Sequence, residues 1–248
     1  MKYIITLLIC AIAYNAIAQN TSGKIIYTEV INTKPDMKKA EEQGWAQWAN
    51  MVPESMTFKK QLVFNQNASM YVNVKVEVDD SEQNMMKRMM RRYSNANNQT
   101  YINADSNIFV EQQDFMGKTF LIKGEPKKIT WKITGEMKII MNYPCLKATY
   151  EDSTETLEAW FTTEIPVSIG PEKYGQLPGM ILELTSKKDK KTLTASEIKF
   201  EEIPTEQLSE PTEGKVVTRE EYKKIVKKKM KEMRQNGSYG GHGGGRRR

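Results

Sequence analysis

The segment Tyr71-Val72-Asn73-Val74-Lys75-Val76-Glu77-Val78 alternates valines with larger or polar side chains at every second position. Successive side chains of a β-strand point to opposite faces, so this period predicts a strand with one buried and one solvated face. The same alternation recurs at 24–31, 56–64, 106–110, 118–123, 128–133, 136–141, 145–151, 154–162, 180–185 and 192–200. Short, closely spaced strands of this kind are typical of antiparallel sheets. We therefore predict a mainly β (α+β) fold, a curved antiparallel sheet or open barrel of about ten strands with a C-terminal amphipathic helix.

Helical patterns occur in three segments, 36–51, 80–93 and 219–234. The last begins with a capping box, in which Thr218 is the N-cap and Glu221 stands three positions later, and Val217 is placed to pack on Tyr222. A glycine-rich stretch follows it and predicts disorder. The predicted organisation is a signal peptide at 1–18, an antiparallel β domain at 19–217, a basic amphipathic helix at 218–235 and a disordered Gly/Arg-rich tail at 236–248.

The N-terminus has the features of a secretory leader. Lys2 precedes an apolar stretch that ends in the small residues Ala16 and Ala18, which predicts cleavage after Ala18. We therefore expect an exported protein, periplasmic or associated with the outer membrane. Cleavage removes Cys10 and leaves Cys145 without an internal disulfide partner, and a free cysteine of this kind is more often a buried small side chain than a reactive thiol.

The formal net charge of +6 is concentrated at the C-terminus. Residues 219–248 hold eleven Lys and Arg against three Glu, whereas the body of the chain is mildly acidic. This distribution argues against nucleic acid as a partner. It predicts either contact with an anionic membrane surface or acidic partner, or only a solvated helix face. The candidate surface-binding residues are Lys224, Lys227, Lys228, Arg246, Arg247 and Arg248.

Several kinds of catalytic site are excluded by the residues available. His242, the only histidine, lies in the glycine-rich tail, so Ser-His, Cys-His and zinc sites are not expected. No phosphate-binding motif is present, and no cofactor is predicted. Carboxylates near an aromatic platform remain an alternative, because Glu155, Glu158 and Glu164 lie close to Trp160 in the sequence. Solvated strand faces are the more ordinary explanation of those carboxylates.

Four methionines form a second alternative site. Met85, Met86, Met89 and Met90 give two thioether pairs at helical spacing, and soft thioethers select Cu(I) or Ag(I). A methionine stripe opposite cationic residues is also what a packed amphipathic helix shows.

The segment 169–184, Ile-Gly-Pro-Glu-Lys-Tyr-Gly-Gln-Leu-Pro-Gly-Met-Ile-Leu-Glu-Leu, carries the most specific pattern. Pro178 and Gly179 suit the second and third positions of a type II turn. Together with Ala159 to Pro166, the segment resembles the signature of the GLPGLI family. The resemblance implies an exported protein of Bacteroidota of largely uncharacterised function, and it carries over no catalytic residue. The residues of this ligand-binding or structural turn are Gly175, Leu177, Pro178 and Gly179.

Taken together, these observations predict an exported cell-envelope protein that is not an enzyme. Its expected role is to bind or carry an apolar ligand, lipid-like in character, or an envelope protein partner, on the concave face of the sheet or at the turn. The alternatives are a methionine-based Cu(I)/Ag(I)-handling protein and a carboxylate-dependent hydrolase.

Overall fold

Twelve strands form one open sheet in the computed structural model, which describes residues 21–42, 44, 46–77 and 84–237. Their order across the sheet is β12-β6-β5-β4-β3-β2-β1-β11-β10-β9-β8-β7. Neighbouring strands are antiparallel except for β12, which pairs with β6 in parallel. The strands are β1 (Gly23–Asn32), β2 (Ser55–Phe64), β3 (Ala68–Asn73), β4 (Gln99–Asn103), β5 (Ile108–Phe115), β6 (Lys118–Gly124), β7 (Lys132–Ile140), β8 (Tyr143–Glu151), β9 (Thr156–Thr162), β10 (Met180–Ser186), β11 (Lys191–Phe200) and β12 (Lys215–Val217). The predicted mainly β fold with a C-terminal helix is confirmed.

Four helices accompany the sheet in the described part of the chain, α1 (Met37–Glu42), α2 (Ala46–Ala49), α3 (Met85–Asn95) and α4 (Arg219–Gly237). The capping box of α4 forms as its motif predicts: the Glu221 N–H donates to Thr218 Oγ1 at 3.2 Å, and the Thr218 N–H donates to Glu221 Oε2 at 2.8 Å. Tyr222 then packs edge-on against Phe115 and Phe120. None of the described helices is long and apolar enough to cross a membrane.

One face of the sheet, which we call the inner face, carries the main core. Ile25 and Tyr27 of β1 are fully buried on it, because alternate residues of a strand share a face. Across β1 and β8–β11, which we call the packed half, the loop of residues 163–179 covers this face with Ile165, Val167 and Leu177. The packed half is therefore filled with apolar side chains.

A second core lies on the opposite, outer face of β2–β6. Val63, Met70, Tyr101, Val110 and Leu121 pack there under Leu208 of a short 3₁₀ turn (Thr205–Leu208). We call the inner face of the same strands the cavity half. Leu62 and Phe64 of β2 still belong to the main core there, whereas the cavities described below lie over other residues of these strands.

Several predicted boundaries are wrong, for local reasons. β3 ends at Asn73 rather than continuing to Val78, since Asn95 of α3 exchanges two hydrogen bonds with the Val76 main chain and holds it outside the sheet. Segments 128–133 and 136–141 contribute to one strand, β7, whose pairing with β8 is interrupted between Ile133 and Met137. Residues 128–130 instead form part of the cover of the core, where Ile129 is buried. β4 and β12 were not predicted by the alternation.

Two predicted segments fall outside the described residues. These are the leader at 1–18 and the tail from residue 238, whereas α4 includes residues 236 and 237.

Candidate functional site

The inner face changes from apolar to polar as it passes from β1 to β5. Lys60 of β2 pairs with Asn73 of β3, and Tyr71 pairs with Thr100 of β4, which pairs with Glu111 of β5. Cross-strand partners share a face, so these side chains form adjoining rows. The sequence places hydrogen-bonding groups here where the packed half has aliphatic ones.

A cavity of about 280 Å³, which we call the polar cavity, lies over these rows. Its walls also come from α3, from the loop before β10 and from β11. Nearly every lining residue has a polar side chain, and the set is Lys60, Tyr71, Val72, Asn73, Tyr93, Asn98, Gln99, Thr100, Glu111, Gln113, Glu172, Lys173, Asp189 and Lys191.

A buried ion-pair network borders this cavity and centres on Glu29. Its carboxylate is only 1% exposed and lies 3.3 Å from Lys60 Nζ and 3.9 Å from Lys191 Nζ. The Tyr93 hydroxyl donates to the same carboxylate at 3.3 Å, and Lys191 also pairs with Glu172. Buried charges persist when they are paired and hydrogen-bonded in this way. The network thus fixes the positions of side chains from β1, β2, β11 and α3.

The two buried lysines respond differently to this environment. Burial lowers the pKa of Lys60, although the neighbouring Glu29 opposes the shift. Burial acts on Lys191 in the same direction, but the adjacent carboxylates of Glu172 and Glu29 leave the pKa of Lys191 above its usual value. Lys60 also donates to Asn73 Oδ1 at 2.6 Å and lies 4.4 Å from the centre of the Tyr93 ring.

Two neighbouring tyrosines mark the boundary between the packed half and the cavity half. Tyr27 and Tyr71 meet edge-on, with ring centroids 6.4 Å apart. The Tyr27 hydroxyl donates to the Ile181 carbonyl at 2.6 Å, whereas the Tyr71 hydroxyl has no hydrogen-bond partner among the described residues. Burial raises the pKa of both, so both hydroxyls are neutral at physiological pH. Tyr71 therefore holds an unsatisfied polar group beside the polar cavity.

Lys173 connects the polar cavity with two others. It lines a cavity of about 370 Å³ toward the β2–β3 turn, which we call the lysine cavity, and another of about 520 Å³ beside the start of α4. Lys173 belongs to the loop of residues 163–179, whose apolar side chains cover the packed half. The same loop thus covers the packed half, and its Lys173 lies between the cavities of the cavity half.

The predicted turn lies within this loop, but it is not a type II turn. The Gly179 N–H bonds to the Leu177 carbonyl at 2.7 Å, which is a three-residue γ-turn around Pro178. A Cβ on Gly179 would lie 2.0 Å from the Thr162 carbonyl oxygen, so glycine is needed for this close approach. Leu177 is buried in the main core, Pro178 is exposed, and the Gly175 carbonyl accepts the indole N–H of Trp131 at 2.8 Å. Of the four turn residues, only Gly175 lines one of the three cavities just described.

The candidate carboxylates are separated by the sheet. Glu158 accepts the Trp160 indole N–H at 3.2 Å and pairs with Lys147 at 3.1 Å on the outer face. Glu155 instead accepts a hydrogen bond from Tyr174, in the main core, and Glu164 is exposed. Glu158 therefore lies at Trp160, whereas Glu155 is bonded to Tyr174 in the main core, so the carboxylates do not converge on one aromatic platform.

Cys145 is fully buried, and burial raises the pKa of its thiol to about 11. The candidate metal ligands give less information, because the side chains of Met85, Met86 and Met89 lie outside the described residues, and Met90 is partly buried in α3. Within the part of the chain that is described, no group of three His, Cys, Asp or Glu side chains is arranged to hold a metal.

The candidate surface-binding residues fall into two groups. Lys224, Lys227 and Lys228 lie exposed on α4, and Arg246, Arg247 and Arg248 lie outside the described residues. Tyr222 and Ile225 face the sheet, next to the cluster of Phe120, Ile122 and Val217.

Sequence reasoning did not find the network around Glu29, although one signal was present. Glu29 stands in the same alternating row as Ile25 and Tyr27, so a charged side chain occupies a position that the strand period assigns to the core. Its partners come from distant parts of the chain and leave no local pattern.

Comparison with known proteins identifies the family. Residues 59–224 match the family model described as "N-glycanase peptide, N-terminal domain", which is about two thirds of the chain, so the chain belongs to this family. Two solved structures of PNGF-II, in space groups C2 and P21, share the fold with TM-scores of 0.55 and 0.53. Both are 16% identical to this chain and align with 84% of it, and the aligned part is 33% and 34% of the respective PNGF-II chains. The chain thus spans about a third of the length of these structures. No curated protein matches it.

Several predictions are overturned by these findings. The resemblance to the GLPGLI family is wrong, because the matching family model and the solved neighbours are N-glycanase proteins. The predicted non-enzymatic carrier of an apolar ligand is wrong for the same reason, as is the expectation that the chain stands outside an enzyme family. The copper- or silver-handling and Glu155/Glu158 hydrolase alternatives receive no support from the family. In physical terms, the apolar part of the inner face is filled by the chain's own loop, and the adjoining cavity is polar.

Proposed function

We propose that this domain takes part in the processing of N-linked glycans and that the polar cavity binds the carbohydrate. The family to which the chain belongs carries the name of an N-glycanase. One structural observation indicates where the carbohydrate binds. The cavity of about 280 Å³ on the inner face is lined almost entirely by hydrogen-bonding side chains.

The chemistry of the lining suits a sugar. A monosaccharide presents closely spaced hydroxyl groups that both donate and accept hydrogen bonds. Asn73, Asn98 and Gln99 offer amides that do both, and Thr100 adds a hydroxyl. Tyr93 contributes an aromatic ring with a hydroxyl at its end. Such a side chain suits a site that is apolar on one side and exposed to water on the other.

The positions of these groups are fixed before a ligand arrives. Lys60 and Tyr93 both bind the Glu29 carboxylate, and Asn73 donates to the Tyr93 and Ala96 carbonyls at 3.0 and 2.8 Å. A preorganised site loses less side-chain entropy on binding. The buried network thus serves the cavity as a rigid frame.

The experiment is a titration of the chain with a neutral N-glycopeptide, followed by isothermal calorimetry and by amide NMR shifts. We expect saturable binding, with the largest shifts at Asn73, Thr100 and Gln113. The same peptide without its glycan is the matched control and should not bind. Equal binding of the bare peptide, or shifts confined to the outer face, would contradict the proposal.

We also propose that the chain is exported, on the strength of its basic and apolar N-terminus with Ala16 and Ala18 before the cleavage point. N-terminal sequencing of the protein recovered from its native envelope fraction should begin at Gln19. Recovery of a chain that begins at Met1 would contradict export by cleavage.

The exposed lysines of α4 support a second, separate proposal, that this helix contacts an anionic membrane surface. Lys224, Lys227 and Lys228 have no ion-pair partner among the described residues, while the apolar side of α4 is held on the sheet. Vesicles containing anionic lipid should retain the chain at low salt, and a variant with these lysines changed to Gln should be retained less. Equal retention on neutral vesicles would contradict the proposal.

A further inference from the structure

The lysine cavity differs from the polar cavity in the net charge of its lining. Two lysines line it, Lys128 and Lys173, and no Asp or Glu is among its lining residues. Neither ammonium group lies within ion-pair distance of a carboxylate in the described part of the chain. By contrast, the polar cavity contains both lysines and carboxylates, and its Lys60 and Lys191 are paired.

The two cavities are successive parts of one surface. Ser69, Tyr71 and Asn73 are alternate residues of β3, so their side chains point to the same face, at intervals of about 6.6 Å. Ser69 lines the lysine cavity, and Tyr71 and Asn73 line the polar cavity. Lys173 lines both, so a ligand longer than one sugar residue can occupy both cavities and meet Lys173 between them.

The remaining lining of the lysine cavity is mixed. Ile102, Ile169 and Pro126 provide apolar surface, and Asn67, Asn107 and Ser168 provide uncharged polar groups. Cationic groups beside an apolar wall fit a sugar unit that has an anionic substituent and a hydrophobic face. Lys128 is exposed, and the half-buried Lys173 has its ammonium 5.3 Å from the centre of the Tyr174 ring, so neither has an anionic partner in the described part of the chain. A neutral sugar would cover these cations without supplying one, which is unfavourable.

We propose that the lysine cavity is a subsite for an acidic unit of the glycan, one that carries a carboxylate, sulfate or phosphate. This inference rests on the proposed function, because it assigns the substrate class of the same inner-face site. Lys128 and Lys173 bind the anionic group, and the polar cavity binds the neutral part of the chain of sugars.

The test compares matched N-glycopeptides, one with neutral ends and others ending in sialic acid, in a sulfated sugar or in a phosphorylated sugar. We expect at least one acidic glycopeptide to bind about tenfold more tightly than the neutral one, since a hydrogen bond to a charged group has about that effect. The acidic glycopeptide that binds more tightly identifies the anionic group, which is a carboxylate, a sulfate or a phosphate. The preference should decrease as salt is raised.

Lys128→Gln is the informative variant, because Lys128 lines the lysine cavity and not the polar cavity. It should reduce the preference for the acidic glycopeptide to about twofold while the affinity for the neutral one stays unchanged. Lys132→Gln is the matched control, since it removes an equal charge from an exposed position on β7 and should keep the full preference.

Each outcome is decisive. Tight binding of the neutral glycopeptide without any gain for the acidic ones would overturn the subsite and leave the glycan-binding proposal intact. A preference that survives Lys128→Gln would also overturn the subsite. Failure of every glycopeptide to bind would overturn the proposed function, and the subsite with it.

Discussion

The packed half and the cavity half of the inner face belong to one sheet, but apolar side chains of the loop lie over the first and charged ones over the second. Over β1 and β8–β11, the loop of residues 163–179 inserts Ile165, Val167 and Leu177, and the apolar side chains below are almost fully buried. Over β2–β5 the same loop contributes Glu172 and Lys173, and the polar side chains below them line the polar cavity. The comparison shows how a single loop can complete a core at one end and shape a binding site at the other.

The difference has an energetic meaning. Apolar burial contributes roughly 25 cal/mol per Å² to stability, whereas a buried ion pair is often no more stabilising than apolar side chains in its place. The packed half, with most of the main core, therefore contributes strongly to stability. The ion-pair network around Glu29 lies where the two halves meet, gives little stability and instead fixes side chains at the polar cavity.

The largest expected effect comes from the packed half. Phe161→Ala removes a fully buried side chain from the main core and should lower the free energy of unfolding by about 3–5 kcal/mol. Urea denaturation measures this change. The fraction that remains folded should bind the glycan with the affinity of the wild type. A decrease in the free energy of unfolding below about 1 kcal/mol would contradict the stabilising role of the packed half.

Breaking the ion-pair network between the two halves should have the next largest effect. Glu29→Gln leaves Lys60 and Lys191 without their shared carboxylate and should cost about 3 kcal/mol in urea denaturation, because an uncompensated buried charge remains. Glu54→Gln is the control: it breaks an exposed ion pair with Lys34 and should change little. Similar results for both variants would contradict the role of the buried network.

The two boundary tyrosines should respond in opposite ways to loss of their hydroxyls. Tyr27→Phe removes a buried hydrogen bond to the Ile181 carbonyl and should destabilise the fold by about 1–3 kcal/mol. Tyr71→Phe removes a hydroxyl that has no partner in the described residues, so stability should stay the same or rise slightly. Thermal denaturation of the two variants side by side measures this difference. An equal decrease in the stability of both would contradict the distinction between the halves.

Alkaline pH should weaken the packed half in a predictable way. Burial raises the pKa of Cys145 from 9.0 to about 11 and raises that of Tyr27 from 10.0, so both groups ionise first in the unfolded chain. The stability that depends on their neutral forms is complete below pH 9 and is lost as pH rises toward the folded-state values, by about 1.4 kcal/mol per pH unit for each group. Urea denaturation between pH 8 and 11 should show this decline. Stability that rises between pH 8 and 11 would contradict the predicted direction of this pH dependence.

The fold was largely predictable from the sequence, because the alternating strands fill a core. The exceptions are instructive. β4, Gln-Thr-Tyr-Ile-Asn, shows only Tyr101 buried, since its inner face borders cavities rather than a core, so no apolar period is present. β12 is a three-residue strand that joins β6 in parallel, a pairing that depends on distant segments.

The site was much less predictable. Lys60, Tyr71 and Lys191 come from three strands far apart in the sequence, and only the sheet order brings them together. The Pro178–Gly179 motif correctly marks a sharp turn, but that turn is part of the loop that covers the core. A local motif therefore located a structural feature, and the binding surface required the tertiary structure.

Removing one hydroxyl from each face of the sheet determines whether the cavity half binds carbohydrate. Thr100 lines the polar cavity, and Thr28 lies partly buried on the outer face of β1. Replacement by Val preserves the shape of either side chain, and the N-glycopeptide dissociation constant is then measured by calorimetry. We predict that Thr100→Val weakens binding about five- to tenfold, as expected for one hydrogen bond, while Thr28→Val leaves it unchanged. Equal affinity in the two variants would contradict carbohydrate binding by the cavity half.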